Sequence, residues 1–70
     1  MITLKQIQIK LAEAIKLSGM PQAELARLLG VSQSLISHYL HGNKMPALDT
    51  FANLCKILDV DTNDILCINE

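Results

Sequence analysis

Apolar residues recur at helical spacing along most of the chain, and between residues 21 and 42 they outline two short helices joined by a tight turn. Leu25, Leu28 and Leu29 stand three and four residues apart, which puts them on one face of a helix. Pro21 is tolerated at the start of that helix, where its missing N–H would be unbonded anyway. Gly30 stands where the helix must stop, because a left-handed residue there lets trailing N–H groups reach the last carbonyls. Val31 points inward, and Ser32 N-caps a second helix over 33–41. Ile36 and Tyr39 face one side of it. Gln33, Ser34, Ser37, His38 and His41 mostly face the other, and Gly42 ends it. Ala26 is small and lies four residues before Gly30, so the two helices can cross closely, with Val31 and Ile36 filling the corner.

The flanks read as further helices. Over 4–18 the stripe is Leu4, Ile7, Leu11, Ala14 or Ile15, and Ser18, with Lys5, Gln8 and Glu13 on the other side. Gly19 caps it, and Ile2, Ile9 and Leu17 fall off the stripe. Beyond Gly42, Asn43-Lys44-Met45-Pro46 is a polar turn closed by proline. Residues 47–58 form a fourth helix that buries Leu48, Phe51, Leu54, Cys55 and Leu58. Ala47 is a poor N-cap there, while Asp49 suits the positive end of the helix dipole. Asp59-Val60 turns the chain. Asp61 caps a last short helix, and Asp64 three residues on resembles a capping box with a shortened acid. Ile65, Leu66 and Ile68, with Met45, are candidates for either the core or a dimer interface. Five helices, short loops and no strand signal predict a compact all-α fold, with residues 1–70 as one domain.

Composition narrows the class. Half of the 70 residues are apolar but only Tyr39 and Phe51 are aromatic, so the core must be mostly aliphatic. No apolar run approaches the ~20 residues of a membrane span, and no leader-like segment argues for secretion. Cys55 and Cys67 are too few for a disulfide framework, so reduced thiols and a cytoplasmic location are expected. Cys55 falls on an apolar helix face, and Cys67 is expected to be a half-buried spectator. The formal net charge of −1 speaks against a polyanion partner, but the charge is unevenly spread. Residues 25–48 carry Arg27 and Lys44 and no acid. Residues 49–70 carry Lys56 against Asp49, Asp59, Asp61, Asp64 and Glu70. Such asymmetry can orient a protein on a polyanion.

Two helices joined by a short turn containing glycine make a helix-turn-helix signature. The chain resembles the lambda-repressor-like helix-turn-helix family, also called the Cro/cI or XRE type, over nearly its whole length. The resemblance is carried by Gln22-Ala23-Glu24-Leu25-Ala26, Leu29-Gly30-Val31-Ser32-Gln33, Ile36-Ser37, Gly42-Asn43-Lys44-Met45-Pro46 and Leu54-Cys55-Lys56-Ile57-Leu58-Asp59-Val60. It implies an operator-binding transcription regulator, usually dimeric. It also implies that Gln33, Ser34 and His38 occupy positions that reach base edges, with Ser37 on the same face. Gln22, Ser32, His41, Asn43 and Lys44 match positions that hold the DNA backbone. A glutamine amide can accept from adenine N6 and donate to N7 together, so Gln33 suits an A·T pair. Ser34 suits either type of pair, His38 can donate to guanine, and Leu35 could meet a thymine methyl. One departure is paired: where the family often sets an acid near the end of the recognition helix against a base in the first helix, this chain has Leu40 and Ile15. An ion pair exchanged for apolar contact is often neutral or stabilising.

The function expected is sequence-specific DNA binding by a homodimer whose two recognition helices enter successive major grooves ~34 Å apart. Repression is the expected outcome. The alternatives are a protein-interaction module of the same fold that has lost DNA binding, favoured by the net acidity and by Ile9 and Leu17, or the antitoxin of a toxin pair. No nucleophile–base pair, phosphate loop or metal cluster points to an enzyme or to a cofactor. His38 and His41 lie three apart, but without neighbouring cysteines or carboxylates they read as surface or phosphate-facing residues rather than metal ligands.

Overall fold

The first helix is started by a device that the hydrophobic pattern does not reveal. In the computed structural model of the protein, which describes residues 1–69, Thr3 N-caps α1 (Leu4–Leu17). Its hydroxyl accepts from the Gln6 N–H at 3.2 Å, and its own N–H donates to the Gln6 side-chain oxygen at 2.7 Å. This reciprocal capping box occupies two N–H groups that the first helical turn leaves without partners. The chain continues through α2 (Gln22–Leu29), α3 (Gln33–Leu40), α4 (Leu48–Leu58) and α5 (Thr62–Ile65). There is no strand among the described residues, so the expected all-α architecture holds.

Several helices end in the same way. At the end of α2, Gly30 takes φ +75°, and its N–H and that of Val31 turn back to the carbonyls of Arg27 and Ala26. Asp59 takes the equivalent left-handed position after α4, with the Val60 N–H on the Cys55 carbonyl at 3.1 Å. These back-bonds satisfy carbonyls that the helix end would leave open, and they fix the direction in which the chain departs.

One apolar core joins the five helices. Leu11, Ala14 and Ile15 come from α1, Leu25 and Ala26 from α2, and Ile36 and Tyr39 from α3. Phe51, Leu54 and Cys55 come from α4, and Ile65 from α5. The side chains closed off most completely are Leu11, Leu25, Ile36 and Leu54, one from each of the first four helices. Burying each of them stabilises the fold by about 1.5–3 kcal/mol relative to exposure. In the packing order, α3 lies against both α1 and α2, α4 against α2, and α5 against α1. Ile15 is buried and Leu40 packs partly buried against the core, which fits the apolar replacement of an ion pair.

Several expectations need correction. Leu28 is exposed, because the buried face of α2 is centred on Leu25, Ala26 and Leu29 and Leu28 lies well to one side of it. Leu4 and Leu48 sit in the right sector of their helices yet are 60% and 83% exposed. Each is the first residue of its helix. Asp61 does cap α5, accepting from the Asn63 N–H at 2.9 Å. Asp64 closes no capping box; its carboxylate accepts from Asn69 at 2.7 Å instead. Cys67 is buried rather than half-buried. The flanking residues Ser18, Pro21, His41 and Ala47 are caps rather than helical members. Of the residues open between core and interface, Ile65 is core, Leu66 packs against it, Met45 is half-buried and Ile68 is exposed. Ile2, Ile9 and Leu17, off the stripe in sequence, are exposed.

Candidate nucleic-acid interface

The geometry of α3 follows from how it is anchored. Ser32 stands in extended conformation before the helix, and its hydroxyl accepts from the Leu35 N–H at 3.2 Å. Ile36 and Tyr39 are buried, and Leu35 and Leu40 pack against the core from the sides of the helix. Tyr39 makes no side-chain hydrogen bond, yet no buried side-chain oxygen lacks a partner among the described residues. Its hydroxyl therefore reaches solvent, with burial of the ring raising its pKa. Anchored on that side, α3 turns its first residues outward: Gln33 and Ser34 are exposed, and Ser37 and His38 are half-buried behind them.

Two imidazoles at the far end of α3 are held by neighbours. The His41 Nδ1 lies 2.8 Å from the Ser37 carbonyl oxygen, and since a carbonyl only accepts, that nitrogen carries the hydrogen. His38 Nδ1 faces the Asn43 side-chain amide at 3.4 Å, where it takes the acceptor role, while the Asn43 backbone N–H donates to the His38 carbonyl at 2.9 Å. Asn43 thus belongs to the end of α3 as much as to the loop. Asn43 and Lys44 are both exposed on that loop. Gln22, at the start of α2, is half-buried, and its side chain makes no hydrogen bond among the described residues.

Charge on this side is sparse. Arg27 Nε donates to Glu24 at 3.1 Å, and the pair shifts both groups, lowering Glu24 and raising Arg27. The Arg27 charge is therefore offset by its neighbour, and the pair adds little stability at an exposed site. Lys44 carries the cation of the α3–α4 loop and forms no ion pair among the described residues. No three His, Cys, Asp or Glu side chains among the described residues gather as a metal site requires. No helix among them is long and apolar enough to cross a membrane.

One contributor escaped the sequence reading. Gln8, assigned to the solvent side of the first helix, donates its side-chain amide to the Gly42 carbonyl at 3.1 Å. The two residues are 34 positions apart, and neither periodicity nor local motif signals such a contact. The bond ties α1 to the point where α3 ends and the Asn43–Lys44 loop begins.

A helix-turn-helix family model matches residues 11–65, most of the chain and all of α2 through α5. No curated protein matches significantly, and no solved structure does. The matched region contains the capped, outward-facing α3 and the turn that sets it across α2. The chain therefore belongs to the XRE-type, Cro/cI-like helix-turn-helix family of DNA-binding regulators, with the lambda-repressor-like all-α fold.

Proposed function

We propose that the protein is a sequence-specific transcriptional repressor, cytoplasmic, that inserts α3 into the major groove and acts as a homodimer on a pseudo-palindromic operator. The observation that carries this reading is the exposed N-terminal end of α3, held out on a helix whose opposite side is locked into the core. Gln33 and Ser34 read base edges there, with Ser37 and His38 further along the helix. Glutamine pairs with adenine by accepting and donating at once, and serine accommodates either pair. Gln22, Ser32, His41, Asn43 and Lys44 hold phosphates, which fixes register without reading sequence. A bound dimer acts sterically by covering DNA that polymerase must use.

The test is selection of random duplex DNA on the purified protein, at low and then moderate salt. A two-fold-symmetric consensus supports the dimeric regulator, and affinity should fall steeply with salt, with a log–log slope of about −0.9 per phosphate contacted. An asymmetric short motif would remove the homodimer from the proposal. No enrichment by folded protein would favour a protein-interaction module, for which the exposed Ile9 and Leu17 are the supporting observation.

A further inference from the structure

We infer that Gln8 of α1 is a positioning residue for DNA binding: its side-chain amide sets the loop that presents Asn43 and Lys44 to the phosphate backbone. The inference rests on the DNA-binding reading above and adds to it a residue that does not itself touch DNA.

The loop leaves α3 through a sharp reversal. Gly42 has φ +73°, its N–H reaches back to the Tyr39 carbonyl, and the Asn43 N–H reaches back to the His38 carbonyl. These bonds satisfy the Tyr39 and His38 carbonyls, and none of them uses the Gly42 carbonyl. Gln8 supplies the partner at 3.1 Å, from a half-buried position on α1. A Cβ built on Gly42 would stand 3.6 Å from Gln8 Oε1 and 3.9 Å from Gln8 Cδ, ordinary contact distances, so the amide lies close to the turn that it bonds.

The placement matters because little else holds the loop. From Lys44 to Pro46 no residue makes a hydrogen bond among the described residues, so apart from the half-buried Met45 and Pro46 the loop is directed by its ends. One end is Ala47, whose carbonyl accepts from Phe51 at the start of α4. The other is Gly42, held by α3 through the backbone and by α1 through Gln8. Since α1 also packs along α3, the amide fixes the loop relative to the recognition helix. Phosphate contacts and base contacts are thereby kept in one register. Losing the amide leaves Lys44 on the protein but free to sample positions away from the phosphate, and each binding event must then order it again.

A double-mutant cycle on DNA affinity tests this. Gln8→Met keeps the length and packing of the side chain and removes the donor. It should weaken binding to the selected site and to random duplex by the same factor, about 3- to 10-fold, in line with loss of one structural hydrogen bond. Lys44→Ala should cost clearly less in the Gln8→Met background than in the wild type, because the lysine there is already poorly placed. Gln8→Glu, which keeps shape but sets an acceptor against a carbonyl, should behave like Gln8→Met. Full additivity of Gln8→Met and Lys44→Ala would overturn the proposal, whatever either change does to thermal stability. Independently of any variant, the wild-type protein should show NOEs between the Gln8 side-chain amide protons and the Gly42 α protons, and their absence would overturn it too. A wild-type protein that binds no DNA, yet shows those NOEs, would instead refute the DNA-binding reading and this role with it.

Discussion

At Gly30 the backbone occupies φ +75°, and a Cβ placed there would meet no atom within 4 Å. A side chain has room at this position, so the cost of Gly30→Ala comes from the left-handed backbone alone. That cost is about 1–2 kcal/mol, and for a domain of this size each kcal/mol lowers the melting temperature by roughly 4–8 °C. Thermal unfolding followed by circular dichroism measures it directly. Two other residues separate reading from holding. Gln33→Ala should cost about 1–3 kcal/mol on the preferred site and relax preference at one base position. Lys44→Ala should weaken binding to every duplex alike and reduce the salt slope by about one per protomer. Binding titrations at several salt concentrations, on a selected and a scrambled duplex, distinguish the two effects. If both variants bind as the wild type does, the residue roles proposed for α3 and its loop are wrong.

Among the elements, the helices differ in how their first turns are satisfied. Thr3, Ser32 and Asp61 each accept from an N–H of the helix they precede, whereas Ala47 stands in the same extended conformation before α4 with no side chain able to do so. Ala47→Ser should therefore stabilise the protein by roughly 0.5–1 kcal/mol, and Thr3→Ala should destabilise it by about 1 kcal/mol. Urea unfolding midpoints with unchanged m-values would report both changes. No gain from Ala47→Ser would mean that the Asp49 carboxylate, which already accepts from the Thr50 N–H at 2.9 Å, and solvent satisfy those N–H groups at no net cost. Helix α3 depends on both kinds of support, a cap at its start and a buried face, so its direction is fixed before any ligand arrives.

At the scale of the whole molecule the core is small and shared. A 70-residue chain is expected to be stable by only about 3.5–10 kcal/mol. Leu54 is fully buried at the centre, and Leu54→Ala should remove about 2–5 kcal/mol of that. The variant should unfold near ambient temperature or lose cooperativity, and scanning calorimetry would show which. The core also makes the protein sensitive to alkali. Burial raises the Cys55 thiol above the ordinary 9.0 and the Tyr39 phenol above the ordinary 10.0. Both groups are neutral when protonated, so the folded state holds these protons more tightly than the unfolded chain. Stability is complete below the ordinary thiol value and falls as pH rises through the raised folded values. Urea midpoints measured from neutral to alkaline pH should trace that fall. Cys55→Ala should flatten its earlier part, whatever it does to stability at neutral pH.

The number of helices, their order and the caps at Ser32 and Asp61 were legible in the sequence because each depends on residues within one or two turns. So was the family resemblance, since the turn between α2 and α3 needs a small residue, a glycine, a cap and an apolar residue at close spacing. The burial of Leu28, Leu4 and Leu48 was misjudged for a different reason. Periodicity gives the angle of a residue around its helix, but only packing decides where the covered sector is centred and how far along the helix it extends. Thr3 and Gln6 carried a local signal that the apolar stripe beginning at Leu4 obscured. The amide of Gln8 on the Gly42 carbonyl carried no signal at all. A polar side chain 34 residues from its partner acquires that partner only when two helices are brought together. Local chemistry therefore determined the elements and the exposed face of α3, and tertiary packing alone decided which residue of α1 holds the loop beside it.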